Sequence, residues 1–492
     1  MKKKKQVLAF DLGGSSGRAM IGSFDGKKIS LEEIHRFSND PVEVNGTLYW
    51  DVLRLFYELQ QGILKAKNSY NFDSIAVDTW GVDFGILDQS GKLIENPVHY
   101  RDSRTKGMLK RALERMTREE LYGITGNQFM EINTAFQLLS YVEERADVLQ
   151  RADKILLMPD LLNYMLTGIQ KTEYSIATTT QLLDAKRGVW SEKIIDCFQI
   201  PKHIFTDIIP TGSVVGELSE RVSEMLGVKR VPVIAVAGHD TQCAMAAVPA
   251  EEKDFIFISC GTWSLFGTEL DQPVLTKTAE QCELSNEGGY GRKASFLKNI
   301  IGLWLVQESK RQWEREGKMF TFSQLEQMAE KSTPFKCFID PDAPEFVPAG
   351  NIPERIRQYC IRTNQEVPET EGEIVRCINE SIAFKYRIAL EQIEQCTNKK
   401  YEKIYMMGGG TNSRLLCQLT ANACGCPVHA GPAEATALGN VGLQLLTLME
   451  IRSLEELRKV IRDSSKVIRY ENIQMDEADQ AYKRYVQVIQ AM

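Results

Sequence analysis

The amino-acid sequence predicts an α/β fold built from two similar halves. Two observations indicate it. Strand-like and helix-like segments alternate through the first half of the chain, and one pattern, a short apolar strand that ends in a glycine turn, occurs at 7–18, 255–264 and 403–410. A duplicated pair of α/β units, with ligand loops meeting at a central cleft, is the simplest architecture with these properties.

The first pattern reads Val-Leu-Ala-Phe-Asp-Leu-Gly-Gly-Ser-Ser-Gly-Arg at residues 7–18. Four apolar residues predict a buried strand that ends at Asp11, and the glycines that follow favour an anion-binding nest of backbone N–H groups. Ser15 and Ser16 add hydroxyl donors, Arg18 adds a positive charge, and Asp11 can hold a hydrated Mg²⁺. The segment therefore favours the terminal phosphates of a nucleotide, and a plain β-turn is the alternative.

Apolar periodicity predicts the regular elements of the first half. A helix is expected at 51–67, with one apolar face formed by Leu53, Phe56, Leu59, Ile63 and Leu64. A long helical region is expected at 104–167, with breaks near Gly123 and Gly126. Further strands are predicted at 18–24, 29–37, 74–79 and 231–237.

The second half begins after a change of composition at 248–254, which predicts domains of residues 1–250 and 251–492, with a helical extension from about 446. Its first strand runs into a turn that matches the opening one, so that Ser259, Gly261 and Ser264 correspond to Asp11, Gly13 and Ser16. The third pattern, at 403–410, follows a predicted helix at 373–396. A further helix to about 424 is expected to be capped by Thr411, Asn412 or Ser413.

Composition narrows the classes of partner. The net charge of −7 argues against nucleic acid, and no stretch approaches the length of a membrane span. The apolar run after the N-terminal lysines is too short for a secretion signal, so we expect a cytoplasmic protein with reduced cysteines. The spacing of Cys417, Cys424, Cys426 and His429 matches no familiar zinc site.

Several longer strings resemble the FGGY family of carbohydrate kinases, and the resemblance covers nearly the whole chain. It implies two ribonuclease H-like domains of the actin-like ATPase fold, with a central ligand cleft. The strings lie at 11–18, 78–84, 100–105, 157–160, 177–182, 239–241, 259–265, 286–289, 297–305, 408–412 and 431–440.

The resemblance implies ATP-dependent phosphorylation of a small sugar, with Mg²⁺. The opening turn and the string Asp-Thr-Trp-Gly-Val-Asp-Phe at 78–84 resemble the members that phosphorylate L-rhamnulose at O1. We expect the apolar surface of Trp80, Val82 and Phe84 to contact a 6-deoxy methyl group. The alternatives are a kinase for L-fuculose, D-xylulose or L-ribulose, an actin- or chaperone-like ATPase, and a non-catalytic sugar sensor. Gly14 departs from the alanine or threonine expected there.

The same resemblance assigns the sugar side of the site. Asp240 is implied as the catalytic base, a role that phosphoryl transfer to an alcohol requires, and capping of a helix is the alternative. Gly81, His239, Thr241 and Asn299 are implied as sugar contacts. Their alternatives are a turn glycine for Gly81, a structural histidine for His239 and a helix N-cap for Asn299.

The nucleotide side of the site is also implied by the resemblance. The residues are Gly14, Ser15, Ser16, Gly17, Arg18, Thr262, Gln307 and Gly409, with Asp11 at the Mg²⁺ site. A solvent-facing position is the alternative for Gln307. The implied partners are the sugar and ATP, and the oligomeric state stays open. Cys360 and Cys377 are expected to lie near one another, with any bond between them dispensable.

Overall fold

The structure is a computed structural model that describes residues 4–473 and 476–490; residues 1–3 of the N-terminal lysine run lie outside it. The strands are β1 (Lys5–Leu12), β2 (Ser16–Phe24), β3 (Ile29–Ser38), β4 (Val42–Val44), β5 (Thr47–Tyr49), β6 (Ile75–Thr79), β7 (Phe84–Leu87), β8 (Lys154–Leu157), β9 (Thr172–Glu173), β10 (Leu183–Asp184), β11 (Val189–Trp190), β12 (Ile208–Ile209), β13 (Ser213–Glu217), β14 (Pro232–Ala235), β15 (Ile256–Cys260), β16 (Trp263–Leu270), β17 (Ser285–Gly288), β18 (Ala294–Ile301), β19 (Ile404–Met407), β20 (Val428–Ala430) and β21 (Ile468–Tyr470).

The helices are α1 (Val52–Ser69), α2 (Met108–Arg115), α3 (Arg118–Thr125), α4 (Thr134–Glu144), α5 (Ala146–Arg151), α6 (Met158–Thr167), α7 (Tyr174–Thr178), α8 (Glu192–Cys197), α9 (Glu220–Leu226), α10 (Asp240–Ala246), α11 (Lys277–Gln281), α12 (Trp304–Arg315), α13 (Phe322–Lys331), α14 (Ile352–Arg362), α15 (Glu371–Thr397), α16 (Arg414–Cys424), α17 (Ala435–Thr447), α18 (Leu454–Ser464) and α19 (Asp476–Gln490).

The chain forms two compact units that are not continuous in sequence. The first comprises the chain up to Glu251 together with Glu269–Phe296 and Ala435–Ser464. The second comprises Glu252–Thr268, Leu297–Glu434 and the chain from Ser465 onward. Two segments that lie beyond the predicted boundary at 250 therefore belong to the first unit.

The first unit contains a sheet in the order β13-β14-β6-β1-β2-β3. β1 and β2 form an antiparallel hairpin, while β1, β6 and β14 run parallel. The parallel pairing places Asp11 of β1 beside Asp78 of β6, and Thr79 pairs with His239 just beyond β14. The carboxyl ends of three neighbouring strands thus bring acidic and basic side chains to one edge of the sheet.

The helix α17 packs closely on this sheet edge. A Cβ at Gly439 would lie 1.8 Å from the carbonyl oxygen of Cys243 in α10, so only glycine fits at this crossing of α10 and α17. The next residue, Asn440, reaches Asp78 with its side chain. Gln444, one turn further, bonds the Leu8 carbonyl and fixes α17 to β1.

The sheet of the second unit repeats the plan of the first. Its strands follow the order β18-β16-β15-β19-β20-β21, with β15 and β16 antiparallel and β15, β19 and β20 parallel. β15–β16 therefore corresponds to β1–β2, and β19 corresponds to β6. The predicted duplication of α/β units is confirmed at the level of strand order and direction.

The predicted strands at 7–11, 18–24, 29–37 and 74–79 are confirmed as β1, β2, β3 and β6. The helix at 51–67 is also confirmed as α1, but its buried face is rotated from the predicted one. Leu53 is 62% exposed, and the side chains that pack inward are Val52, Leu55, Leu59, Ile63 and Ala66. This spacing of three and four residues keeps a helical stripe on one side without Leu53.

The single helical region predicted at 104–167 is wrong in part. The segment contains α2 to α6, and the strand β8 interrupts it and pairs with β7. Gly126 ends α3 in the left-handed conformation, with φ of 65°, as a helix C-cap glycine does, whereas Gly123 lies inside α3. In the second unit, the predicted helices are confirmed as α15 and α16, and Ser413 is the residue that caps α16.

Candidate active site

The β1–β2 hairpin brings Asp11 and Arg18 together. The two residues are register partners, and Arg18 Nη2 donates to Asp11 Oδ2 at 2.6 Å. Asn39 holds the turn between them, since its Nδ2 donates to the Gly13 carbonyl at 2.8 Å and its backbone N–H donates to the Ser15 carbonyl at 3.1 Å. Arg18 thus balances the charge of Asp11 at the base of a pinned turn.

The predicted nest of N–H groups in this turn does not take the form that uses a left-handed residue. No residue from 12 to 18 has a positive φ. Gly17 is instead required by packing, because a Cβ there would lie 2.2 Å from the ring of Phe37. At Gly14 the nearest atom to such a Cβ is the Tyr100 hydroxyl at 3.8 Å, and Gly14 and Ser15 are exposed. The turn offers an exposed tip on a regular hairpin.

Asp78 is a buried acid beside this hairpin. Its Oδ2 accepts from Asn440 Nδ2 at 2.6 Å, while Oδ1 has no hydrogen-bond partner among the described residues. Burial, and then the neighbouring charge of Asp11, raise the pKa of Asp78 well above its ordinary value. Sequence reasoning treated Asp78 only as the acid before Gly81. The signal that could have indicated a larger role was its position, because Asp78 lies at the end of a buried strand as Asp11 does.

Asp240 is the first residue of α10. Its Oδ1 accepts from the Thr241 backbone N–H at 2.6 Å and from the Thr241 hydroxyl at 3.3 Å. His239, not Asp240, occupies the N-cap position, so the helix-cap alternative for Asp240 is wrong. The Asp240 side chain is 31% exposed. Burial raises the pKa of Asp240; His239 opposes the shift and Asp11 adds to it.

His239 is paired with an acid that sequence reasoning missed. Its Nδ1 lies 2.9 Å from Glu287 Oε2, and its Nε2 lies 3.4 Å from Asp240 Oδ1. Burial alone would lower the pKa of His239, but the Glu287 carboxylate reverses this and raises it to about 9. The signal for Glu287 was the string Asn-Glu-Gly-Gly at 286–289, to which no role had been assigned.

The sugar-side string at 78–84 contains a strained residue. Val82 is β-branched and has a φ of 69°, a conformation that persists only where the surroundings impose it. Thr179 Oγ1 accepts from the Val82 N–H at 3.2 Å, and Thr134 Oγ1 donates to its carbonyl at 2.6 Å. At Gly81, a Cβ would crowd Thr179 at 3.2 Å, so Gly81 has a packing reason to be glycine.

The aromatic residues of this string are buried. Asp83 accepts from the indole N–H of Trp50 at 2.6 Å and of Trp80 at 3.0 Å; burial nevertheless raises the pKa of Asp83 to about 6. Trp80 is 7% and Phe84 3% exposed, and each belongs to a core cluster. The expectation that Trp80 and Phe84 offer surface to a methyl group is therefore wrong in this structure. Val82 retains partly exposed apolar surface.

In the second unit, three residues that were expected to contact the nucleotide lie near Leu303. They are Thr262, Gln307 and Gly409. The Thr262 carbonyl accepts from the N–H groups on either side of Leu303, at 3.1 and 3.2 Å. Gln307 lies one helical turn beyond and donates its N–H to the Leu303 carbonyl at 2.9 Å. The methyl carbon of Leu303 is 3.9 Å from where a Cβ at Gly409 would be.

Asn299, which was expected at the sugar, lies in the strand β18. The alternative that it caps the N-terminus of a helix is therefore wrong.

The three consecutive glycines of this unit, Gly408, Gly409 and Gly410, are glycine for different reasons. A Cβ would lie 2.9 Å from the Cys260 carbonyl at Gly408 and 2.2 Å from Cys260 Sγ at Gly410. At Gly409 the nearest atoms are 3.9 and 4.0 Å away, and the residue is exposed. Packing therefore explains the outer two glycines and leaves the middle one without a packing reason.

The cysteines are all thiols. None of the eleven, which all lie in the described part of the chain, forms a disulfide. Cys360 and Cys377 lie near one another, as predicted, and Cys337 joins them as a third thiol that sequence reasoning did not include. Within residues 4–473 and 476–490, no helix is both long enough and apolar enough to cross a membrane.

Fold and site together define an α/β enzyme with a duplicated sheet and an acidic strand edge. The family descriptions that match are the N-terminal domain of the FGGY family of carbohydrate kinases, at residues 6–247, and its C-terminal domain, at 256–448. The chain belongs to the FGGY family of carbohydrate kinases. It is a sugar kinase, and ATP is its phosphoryl donor.

Relatives of known name extend the match to nearly the full chain. A rhamnulokinase of Bacteroides thetaiotaomicron is 41% identical over 480 residues, which are 97% of this chain and 98% of the relative. Rhamnulokinases of Oceanobacillus iheyensis and Bacillus subtilis are 39% and 36% identical, covering 95% and 93% of this chain and 99% and 93% of their own.

Solved structures share the fold. A ligand-bound xylulose kinase from Lactobacillus acidophilus has a TM-score of 0.82 at 17% identity, covering 99% of this chain and 98% of its own. A Plasmodium falciparum glycerol kinase with ADP has a TM-score of 0.79 at 17% identity, with 99% and 98% covered. The predicted two-domain fold of the actin-like ATPase type is confirmed.

Proposed function

We propose that this enzyme transfers the γ-phosphoryl group of ATP to the O1 hydroxyl of L-rhamnulose, giving L-rhamnulose 1-phosphate and ADP. The full-length similarity to rhamnulokinases supports this choice of sugar. The observation that carries the chemistry is the Asp240 carboxylate, which is partly exposed at the carboxyl edge of the parallel strands.

In this mechanism Asp240 is the general base. Thr241 holds Oδ1, and Oδ2 accepts no hydrogen bond from the described residues, so it can accept the proton of a sugar hydroxyl. The hydroxyl oxygen then attacks the γ-phosphorus in line with the leaving ADP oxygen. We propose Gly81, His239, Thr241 and Asn299 as the groups around the sugar.

We propose that Mg²⁺ binds at Asp11 through water. Carboxylate oxygens are the ligands that Mg²⁺ prefers, and Mg²⁺ usually takes one or two of them together with substrate phosphates. The donor set fits, because Asp11 and Asp78 are register neighbours and the buried Asp78 Oδ1 has no hydrogen-bond partner among the described residues. Bound there, the ion would neutralise charge on the transferring phosphoryl group.

The nucleotide residues are proposed on both units. In the first, Gly14, Ser15, Ser16 and Arg18 lie on the hairpin tip or beside it, and Gly17 supports the hairpin by packing on Phe37. In the second, Thr262, Gln307 and Gly409 surround Leu303. The open space at Gly409 supports a close approach of the nucleotide to its backbone. A cytoplasmic location is proposed because eleven free thiols suit a reducing compartment.

An ADP-release assay across a panel of sugars tests the substrate. We expect kcat/KM to be highest for L-rhamnulose, ahead of L-fuculose, D-xylulose and glycerol. The aldose L-rhamnose should give no appreciable turnover, because its C1 is a carbonyl or hemiacetal carbon with no primary hydroxyl. Equal or higher kcat/KM for D-xylulose or L-fuculose would contradict the choice of L-rhamnulose and leave the kinase class standing.

A further inference from the structure

The strand β17 presents Glu287 from a firmly held backbone. The Asn286 side chain accepts from the Val274 N–H at 2.7 Å and donates to the Val274 carbonyl at 2.9 Å. Gly288 has no room for a side chain, because a Cβ would lie 2.4 Å from the ring of Tyr174. The flanking residues of the string Asn-Glu-Gly-Gly thus place the Glu287 side chain at a fixed point.

Glu287 is 5% exposed and accepts two hydrogen bonds on one oxygen. Its Oε2 lies 2.9 Å from His239 Nδ1 and accepts from Gln242 Nε2 at 3.1 Å. The Ser295 hydroxyl donates to Gln242 Oε1 at 2.8 Å, which fixes the orientation of that amide. A carboxylate has no proton to give, so the shared proton belongs to His239 Nδ1.

The charged groups that face His239 come from three elements. They are Glu287 on β17, Asp240 on α10 and Glu173 at the start of α7, and all three are acidic. The Asp240 carboxylate also interacts electrostatically with Asp11 and Asp78, which lie at the ends of β1 and β6. A positively charged His239 is therefore surrounded by acids. Its Nε2 lies 3.4 Å from Asp240 Oδ1, so the charge acts directly on the Asp240 carboxylate.

We propose that Glu287 is a positioning residue that holds His239 as an imidazolium beside Asp240 and thereby keeps Asp240 ionised as the base. The inference rests on the proposed function, in which Asp240 accepts the substrate proton. Glu287 acts through His239, to which its carboxylate is hydrogen-bonded. The neutral Glu287→Gln side chain keeps the shape and removes the charge that stabilises the imidazolium.

The first experiment does not depend on turnover. NMR titration of histidine-labelled full-length protein should show one of the five imidazoles with a pKa raised to about 9. In Glu287→Gln that pKa should fall, because the largest charge that opposes burial is removed and only Asp240 and Glu173 still favour the imidazolium. Glu287→Asp, which keeps the charge, should retain a raised value. An unchanged pKa in folded Glu287→Gln would overturn the proposal.

The second experiment measures kcat/KM for L-rhamnulose against pH. In Glu287→Gln the acid limb should move up by about one pH unit or more, since an opposite charge nearby lowers a carboxyl pKa by about that amount. Ser295→Ala, which loosens the same network without changing charge, should leave the limb in place. Equal loss of kcat in both variants with no shift would overturn the proposal. If wild type phosphorylates no ketose, the substrate proposal fails while the titration still decides this one.

Discussion

The two strand–turn hairpins share a backbone plan and differ in charge. In β1–β2, Asp11 faces Arg18 across the ladder. In β15–β16, the residues beside the turn are neutral, and Tyr386 donates its hydroxyl to Ser264 Oγ at 2.6 Å. Ser264 in turn lies 3.5 Å from Cys260 Sγ.

The difference separates backbone plan from chemistry. The acids that could act on a phosphoryl acceptor lie at the strand edge of the first unit, where Asp78 and Asp240 join Asp11. The matching position in the second unit carries Ser259 and a buried hydroxyl–thiol network. Changes at the first edge should therefore affect turnover, and changes at the second should affect stability.

The largest effect is expected for Asp240→Asn. The amide cannot accept the hydroxyl proton, so kcat should fall by about 10²–10⁴-fold, the usual contribution of general-base catalysis. Thermal unfolding and ATP binding should stay close to wild type, because Asn keeps the bond from the Thr241 N–H. Asp271→Asn, which alters an acid paired with Lys293, is the matched control and should retain full turnover. Near-normal kcat in folded Asp240→Asn would remove Asp240 from this role.

The next prediction compares substitutions at the two matching hairpin positions, Asp11 and Ser259. Asp11→Ser installs the residue type of the second hairpin and removes the ion pair between Asp11 and Arg18. We expect kcat to fall by roughly 10²-fold, the scale of losing one preorganised electrostatic group, and more Mg²⁺ to be needed for half-maximal rate. Ser259→Ala should change kcat by less than about tenfold on the same reasoning. Similar losses in both variants, measured across a Mg²⁺ series, would show that the hairpins do not differ in role.

Sequence reasoning predicted what depends on local pattern. Apolar runs that end in glycine marked the hairpins and the parallel strands beside them, and the acid at the end of β1 was visible as Asp11. These features depend on a few adjacent residues, so a single sequence carries them. The rotated face of α1 shows the limit, because Leu53 and Leu55 are equally apolar and only packing on the sheet decides between them.

Long-range partners were not predictable. Glu287 reaches His239 across 48 positions of sequence, and Asn440 reaches Asp78 across 362. Nothing in the local spacing of either residue indicates its partner. The conformation of the first turn was not predictable for a related reason. Glycine permits a left-handed backbone without requiring it, and Gly17 is glycine because a Cβ there would overlap the ring of Phe37.

A smaller effect, on stability alone, is expected from the neutral network of the second hairpin. Tyr386→Phe leaves the fully buried Ser264 hydroxyl without its donor, which should cost about 1–3 kcal/mol of unfolding free energy. The double variant with Ser264→Ala should cost less than the sum of the single variants, because the two side chains share one bond. Additive losses in denaturant unfolding would contradict a shared bond, and kcat per folded molecule should be unchanged throughout.

The smallest effects should come from the turn glycines. A Cβ at Gly14 or at Gly261 meets its nearest atom at 3.8 Å, and neither residue has a positive φ, so alanine fits both turns without strain. Gly14→Ala and Gly261→Ala should each change the unfolding free energy by no more than about 0.5 kcal/mol, as expected for unstrained surface sites. Gly17→Ala is the contrasting variant, because its Cβ would overlap the Phe37 ring and overpacking costs about 1–3 kcal/mol. The melting temperatures of the three variants, measured side by side, test this prediction. If Gly14→Ala lowered the melting temperature as much as Gly17→Ala does, the first turn would depend on the backbone freedom of glycine.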